Sequence, residues 1–334
     1  VKVAMLGPIA WRTPPVGYGP WERVTSLLTE GLVRRGAEVT LFATGDSITG
    51  ADLDAVTPHG YAEDPSMDGR VWEALHIAHA IERSGEFDLV HNQLDWLPLA
   101  FSAQWKAPMV TTIHGFSGPA ILPAYVASSS AFVSISDSDR SPALTYLATI
   151  HHGIDAGELP FVPEPDDYLV SFGRIHPDKG TATAIEIARR AGRRLVICGL
   201  IQHAGYFRDE VQPHVDGEHV VFLGAVGGEE RARILGHAAA LLHPIDFDEP
   251  FGLSVIESMM CGTPVLAYRR GSMAEVVDEG VTGSTVADIA EAVSALPAVI
   301  SLNRRRVHDR AVARFGVERM VDGYLRAYET LAGR

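Results

Sequence analysis

Lysine is almost missing from this 334-residue chain: of 28 basic residues only Lys2, Lys106 and Lys179 are lysine, and the rest are arginine. Cysteine is as scarce. Two thiols, Cys198 and Cys261, both set in apolar stretches, cannot staple a disulfide scaffold, and they lead us to expect buried, reduced thiols in a cytoplasmic protein. No run of eighteen apolar residues occurs, so no membrane-spanning helix is expected. The opening VKVAMLGPIA reads as a strand and lacks the apolar core and cleavage site of a signal peptide. Clusters of His and Cys at zinc spacing are absent. Long basic runs are absent too: Arg193-Arg194, Arg269-Arg270 and Arg304–Arg306 are short and are expected to be solvated helix ends and turns. The net charge is −14, with 9 basic against 17 acidic residues in 1–155 and 19 against 25 in 156–334. Two acidic halves argue against a nucleic-acid partner, which needs a basic stripe, and against strong binding to anionic membrane. The acidic first half favours a neutral or lipophilic partner molecule over a polyanion.

What is present is an alternation. Apolar strand-like runs, such as Val3–Leu6, Val39–Ala43 and Met109–His114, are separated by amphipathic stretches such as Trp21–Arg35 and Val71–Arg83. The second half repeats the scheme, with strands such as Tyr168–Phe172, Leu195–Gly199 and Pro264–Ala267. Alternating βα units imply a parallel sheet covered on both faces. Two sets imply an α/β protein of two doubly wound, Rossmann-like domains, with the proline-rich, acidic stretch 156–167 as their linker. In such sheets ligands bind beyond the carboxyl ends of the strands, and the default site is a cleft between the domains.

The segment SFGRIHPDKG, residues 171–180, follows one strand and precedes a helix. Gly173 allows a tight backbone, Arg174 offers a planar fork and Lys179 a point charge, a combination suited to a diphosphate. Taken alone, the segment is better read as a solvated arginine and a helix-start lysine with Asp178 as its cap. The segment DEPFGLSVIESMMCGTPV, residues 248–265, adds Glu249 in a loop and Glu257 in the helix that follows. Amides near Gly252, Leu253 and Ser254 at the helix start suit an anion. The carboxylates suit sugar hydroxyls, although a cap at Glu249 and a surface acid at Glu257 are the plain alternatives. Two such loops in one domain point to a nucleotide sugar.

In the first half, Gln93 and Asp95 in HNQLDWLPL follow a strand end. They are candidates for acceptor hydroxyls, with a helix cap the simpler reading of Asp95. Tyr18 and Trp21 in PPVGYGPWERV are candidates either to stack on a sugar or simply to pack. His114 closes a strand before a glycine; contact with ligand and satisfaction by neighbouring backbone are both open. Asp137-Ser138-Asp139 and Asp246-Phe247-Asp248 match a metal-binding pattern that is common by chance, and Asp137 reads as a helix cap. With Arg174 and Lys179 available to neutralise a diphosphate, no metal is expected.

Arg174 with Lys179, and Glu249 with Glu257, resemble the signature of retaining glycosyltransferases of family four, which have the GT-B fold. The resemblance covers nearly the whole chain, including IHHGID at 150–155 and the terminal ARFGVERMVDGYLRAYETL. It implies an acceptor-binding domain at 1–155, a nucleotide-sugar domain at 156–315, and a helix at 316–334 that returns to the first domain. It further implies that Arg174 and Lys179 hold the donor diphosphate, that Glu257 accepts from the ribose, and that Glu249 and His114 touch the transferred sugar. Gly252 and Leu253 would meet phosphate or sugar, and Gly224, Ala225 and Val226 would line the base. The family shows two adjacent glycines where this chain has Gly19-Pro20; proline removes one amide donor but suits a first helical position.

The expected activity is transfer of a sugar, with retained configuration, from a nucleoside diphosphate sugar to an acceptor hydroxyl. UDP is taken as the common case. The acceptor is a small molecule or oligosaccharide, and size and arginine-rich composition suit an antibiotic pathway. No further cofactor is expected. A nucleotide-sugar epimerase of the same architecture and a non-catalytic nucleotide-sugar binder are the alternatives.

Overall fold

A computed structural model describes residues 1–17, 19–115 and 118–333. It divides the chain into two compact units. One holds Val1–Ile154 and the chain from Val317 onward; the other is Asp155–Gly316.

The first unit is built on a seven-stranded sheet of β1 (Lys2–Leu6), β2 (Glu38–Phe42), β3 (Asp52–Asp54), β4 (Leu89–Asn92), β5 (Met109–Ile113), β6 (Ala131–Ser134) and β7 (Tyr146–Thr149). The strand order is β3-β2-β1-β4-β5-β6-β7. Every pairing is parallel. Both faces of the central strands are covered, which is why β4 and β5 are buried along their whole length. The helix Pro20–Arg34 opens with proline at its first position, where the missing N–H costs nothing. It buries Val24, Leu28 and Leu32. The terminal helix Val317–Ala332 buries Met320, Val321, Tyr324, Ala327 and Tyr328, one stripe at helical period. Its Val321 lies so close to Gly31 that a Cβ there would meet Val321 Cγ2 at 2.3 Å. The two helices approach closely only because residue 31 has no side chain.

The second unit carries six parallel strands: β8 (Tyr168–Phe172), β9 (Arg194–Cys198), β10 (Val220–Gly224), β11 (Ala240–His243), β12 (Val265–Tyr268) and β13 (Gly283–Val286). Their order is β10-β9-β8-β11-β12-β13. The two parallel-sheet α/β units match the expected fold class. Cys198 and Cys261 are buried free thiols, and burial pushes both up to about 12. Among the described residues no helix is long and apolar enough to cross a membrane.

Two expectations are corrected here. Residues 156–167 do not form a free linker. Leu159 is fully buried, the Val162 amide donates to the Cys261 carbonyl at 3.0 Å, and the stretch is docked on the second unit. Nor is Arg304 solvated. It is buried and donates to the carbonyls of Val162 and Ala238 at 2.9 and 3.0 Å and to Thr263 Oγ1 at 2.8 Å. Burial pushes its guanidinium down to about 10. Its five donors fit a nest of carbonyls that the sequence alone does not display.

Candidate functional site

In both sheets the strand order reverses beside the first strand of the unit, between β1 and β4 and between β8 and β11. The loops leaving those strands diverge to opposite sides, and the gap between them is where such sheets bind ligands.

In the second unit, the loops after β8 and β11 are tied together. The Asp246 amide donates to the Asp178 carbonyl at 2.7 Å. Gly180, at φ 67°, lies so near the Pro244 carbonyl that a Cβ would meet its oxygen at 1.9 Å; only glycine fits. This closure brings Lys179 Nζ to 2.8 Å from Glu249 Oε2. Both side chains are largely buried, at 16% and 12% exposure. Lys179 also sits over the Phe247 ring, 4.4 Å from its centroid, and His243 Nε2 lies 3.5 Å from the same Glu249 oxygen. Burial alone would raise the Glu249 carboxyl. His243 and Lys179 outweigh it and hold the group at about 2. Glu249 is therefore no helix cap but the centre of a charged cluster. The turn after β12 supports it from behind: the Ser272 amide donates to the Glu249 carbonyl at 2.8 Å.

Arg174, half-buried on the same loop as Lys179, donates from Nη1 to Gln202. Gly173 follows β8 directly, its amide bonded to Cys198 O at 3.0 Å. Glu257 is buried, which corrects the surface reading, and its Oε1 lies 3.3 Å from Arg231 Nη1. Gly252 caps the helix Leu253–Met260 in left-handed backbone, and Leu253 and Ser254 are half-buried at its start. Gly224 ends β10 and leads into the partly exposed Ala225 and Val226. Lys179 and Glu249 are thus in direct contact, whereas Arg174 and Glu257 each have a different partner. In the two Asp-x-Asp segments, Asp246 pairs with Arg270 at 2.7 Å and Asp137 accepts from the Thr149 hydroxyl. No helix follows Asp137, so it caps none. Among the described residues, no three His, Cys, Asp or Glu side chains are grouped to hold a metal ion.

In the first unit His114 belongs to a buried polar chain. Its Nε2 lies 2.6 Å from Gln93 Oε1, so the amide carbonyl accepts and Nε2 carries the proton. Gln93 Nε2 reaches His91 Nε2 at 3.0 Å, and His91 Nδ1 reaches the Tyr328 hydroxyl at 2.6 Å. Thr112 joins His91 at 2.8 Å and Tyr324 at 2.8 Å. The terminal helix thereby fixes, through Thr112, His91 and Gln93, the ring at the end of β5. Burial, then the neighbouring His91, pushes His114 down to about 3, so it is neutral at physiological pH. The expectation that Gln93 binds acceptor is corrected: it is fully buried, with both ends of its amide engaged, and it positions His114. The ring of His114 stacks on Trp21, with centroids 5.2 Å apart and planes 20° apart.

Trp21 also lines a cavity of about 400 Å³ formed wholly within the first unit, together with Trp11, Trp96, Glu22, Glu73 and Asp95. Asp95 is no helix cap. It has φ 70°, accepts from the Tyr125 hydroxyl and borders the cavity. Gly19 is buried just before the helix Pro20–Arg34. Tyr18 lies outside the described residues. Glu22 is only 3% exposed, and burial pushes its carboxyl up to about 7. A raised carboxyl favours folding while protonated, so its contribution is present below pH ~4.3 and lost as pH rises through about 7, a loss of roughly 3 kcal/mol. Glu22→Gln should therefore be more stable than the parent at pH 8 by up to about 3 kcal/mol and similar to it at pH 4. Urea titrations at the two pH values check this; an equal difference at both would contradict it.

Sequence reading missed His243, Arg231, Trp11, Glu22, Glu73 and Trp96. His243 ends β11, so the strand-end rule could have found it. Arg231 lies 26 positions before its partner Glu257, and no local pattern links them.

Two family models match the chain: one described as glycosyl transferases group 1 over residues 160–308, the other as Glycosyltransferase Family 4 over residues 21–156. Glycogen synthase of Mycobacterium tuberculosis is 28% identical, covering 87% of this chain and 85% of that protein. D-inositol 3-phosphate glycosyltransferase of Mycolicibacterium smegmatis is 25% identical, covering 89% and 83%. Among solved structures, AviGT4, a glycosyltransferase involved in avilamycin A biosynthesis, superposes with a TM-score of 0.78 at 24% identity, covering 100% of this chain and 98% of that one. Anabaena Alr3699/HepE in complex with UDP-glucose gives a TM-score of 0.71 at 18% identity, with both chains fully covered.

Proposed function

We propose that the chain is a group 1 glycosyltransferase of the GT-B type that transfers a sugar, with retained configuration, from UDP-sugar to a hydroxyl of a small-molecule or oligosaccharide acceptor. The observation that carries this reading is the Lys179–Glu249 pair, 2.8 Å apart at the switch point of the second sheet. There a cation suited to phosphate stands beside a carboxylate suited to sugar hydroxyls. Arg174 and Lys179 hold the diphosphate, and amides of Gly252, Leu253 and Ser254 add donors at the helix start. Glu257, oriented by Arg231, accepts from the ribose, and Gly173, Gly224, Ala225 and Val226 border the nucleotide. His114 contributes a neutral, oriented ring from the first unit.

In the step itself the bond from the anomeric carbon to the phosphate oxygen breaks, and the bond to the acceptor oxygen forms on the same face. The acceptor proton passes to the leaving phosphate. Glu249, held at about 2, is ionised at neutral pH and cannot protonate the leaving group. The developing phosphate charge falls to Arg174 and Lys179, which makes a metal unnecessary. The choice of UDP is supported by a structural neighbour that holds UDP-glucose. An acceptor from antibiotic assembly fits the short, arginine-rich chain, and cytoplasmic residence fits its free thiols.

A thermal-shift panel of UDP, GDP, ADP and TDP, with and without Mg²⁺, tests the donor. UDP at a hundred times its Kd should stabilise the protein by about 2.7 kcal/mol, with no dependence on Mg²⁺. If none of the four shifts the midpoint, the nucleotide-sugar reading falls; if the shift needs Mg²⁺, metal independence falls.

A further inference from the structure

The cavity beside His114 has an unusual charge. Its described lining includes three carboxyl side chains, Glu22, Glu73 and Asp95, and no lysine, arginine or histidine. Elsewhere the chain commonly pairs its acids: Asp54 with Arg83, Asp278 with Arg314, Glu257 with Arg231. Here the partners are neutral. Glu22 accepts from the Trp11 amide at 3.3 Å, Glu73 from the Tyr61 hydroxyl at 2.8 Å, and Asp95 from the Tyr125 hydroxyl. Glu22 is nine-tenths buried and borders the empty space. Gathering three acids without a countercharge opposes folding unless something compensates. The remaining wall is aromatic, with Trp11, Trp21 and Trp96, and indole rings attract cations through their quadrupole.

Carboxylates and indoles around one cavity, with no basic group, form a receptor for an organic cation. We infer that the acceptor carries a protonated amine, as in an amino sugar or aminocyclitol, seated among Glu22, Glu73 and Asp95. A phosphorylated acceptor is disfavoured, since it would meet three acids and no counter-cation. The volume, about 400 Å³, is of the size that accommodates a small-molecule ligand. Trp21 connects this cavity to the chemistry assigned above, since the same indole stacks on His114. The inference rests on the glycosyltransferase reading for the word acceptor, and on the cavity alone for the charge.

The test is direct binding to the full chain, read by tryptophan fluorescence at pH 7.5. Glucosamine and 6-amino-6-deoxyglucose are set against glucose and glucose 6-phosphate. At least one amine should bind about tenfold or more tighter than glucose, with glucose 6-phosphate the weakest. Glu22→Gln keeps shape and removes charge, and it should abolish the preference for the amine. Glu73→Gln should do the same if the first variant does not fold. Equal binding of amines and glucose, tighter binding of the phosphate, or a preference untouched in the folded variants would each overturn the inference. UDP binding is measured on the same samples. If UDP still binds, only the acceptor class is lost; if UDP fails to bind while the amine preference holds, the fault lies with the donor reading.

Discussion

Lys179→Ala is expected to lower turnover by about 100- to 1,000-fold, the loss of roughly 3–4 kcal/mol that follows removal of one donor acting mainly in the transition state. Two effects have to be separated. Lys179 and Glu249 are a largely buried pair, and deleting one partner of such a pair can cost about 3–5 kcal/mol of stability. His243 remains at 3.5 Å and tempers that cost. The loss is therefore read per folded molecule, with the folded fraction taken from circular dichroism. The double variant Lys179→Met with Glu249→Gln removes the unpaired charge and should recover stability without recovering turnover. A folded Lys179→Ala protein that turns over at the parental rate would remove Lys179 from the reaction.

Acid should unfold the first unit before pH 4. Four of its imidazoles, His76, His91, His114 and His152, are buried. Burial pushes His76 down to about 4, and His91 and His114 to about 3, while His152 lies well below its usual value. A depressed histidine favours the fold above its unfolded value near 6.5, and that contribution is lost as pH falls toward the folded value, at about 1.4 kcal/mol per pH unit for each ring. At pH 5 this is about 2 kcal/mol each, and together it is comparable with the whole stability of an ordinary domain, about 5–15 kcal/mol. At His91 the added proton on Nε2 must also displace the Gln93 amide N–H that points at it from 3.0 Å, whereas the His76 bond to the Gly7 carbonyl at 3.0 Å survives protonation. All five tryptophans, at 11, 21, 72, 96 and 105, lie in this unit, so intrinsic fluorescence follows it alone. A fluorescence signal and urea midpoint unchanged between pH 7 and pH 4.5 would contradict the assignment of neutral, buried rings.

Much of the site was legible in order along the chain. Lys179 stands out because the second half of the sequence holds no other lysine, and Glu249 because it follows a strand end and precedes a glycine-led helix. The same logic could have reached His243 and did not. Gln93 and Asp95 were placed correctly beyond β4, but Gln93 was misread as an acceptor contact and Asp95 as a plain helix cap. The sequence does not say that one amide lies under His114 or that the Asp95 backbone turns left-handed. Arg304 was misread for the same reason, since its carbonyl partners come from two segments far from it in sequence.

By itself the sequence determined the repeating βα units, the parallel sheets they require, and the proline that opens the helix Pro20–Arg34. These depend on side-chain period and backbone preference, which act over a few residues. Only the tertiary structure decided that Arg231 meets Glu257, that Tyr328 reaches His91 across 237 positions, and that Glu22, Glu73 and Asp95 share one cavity. Those pairings depend on strand order at the switch points, where loops distant in sequence converge. Burial then makes His114 a neutral ring, while Lys179 and His243 keep the buried Glu249 an anion.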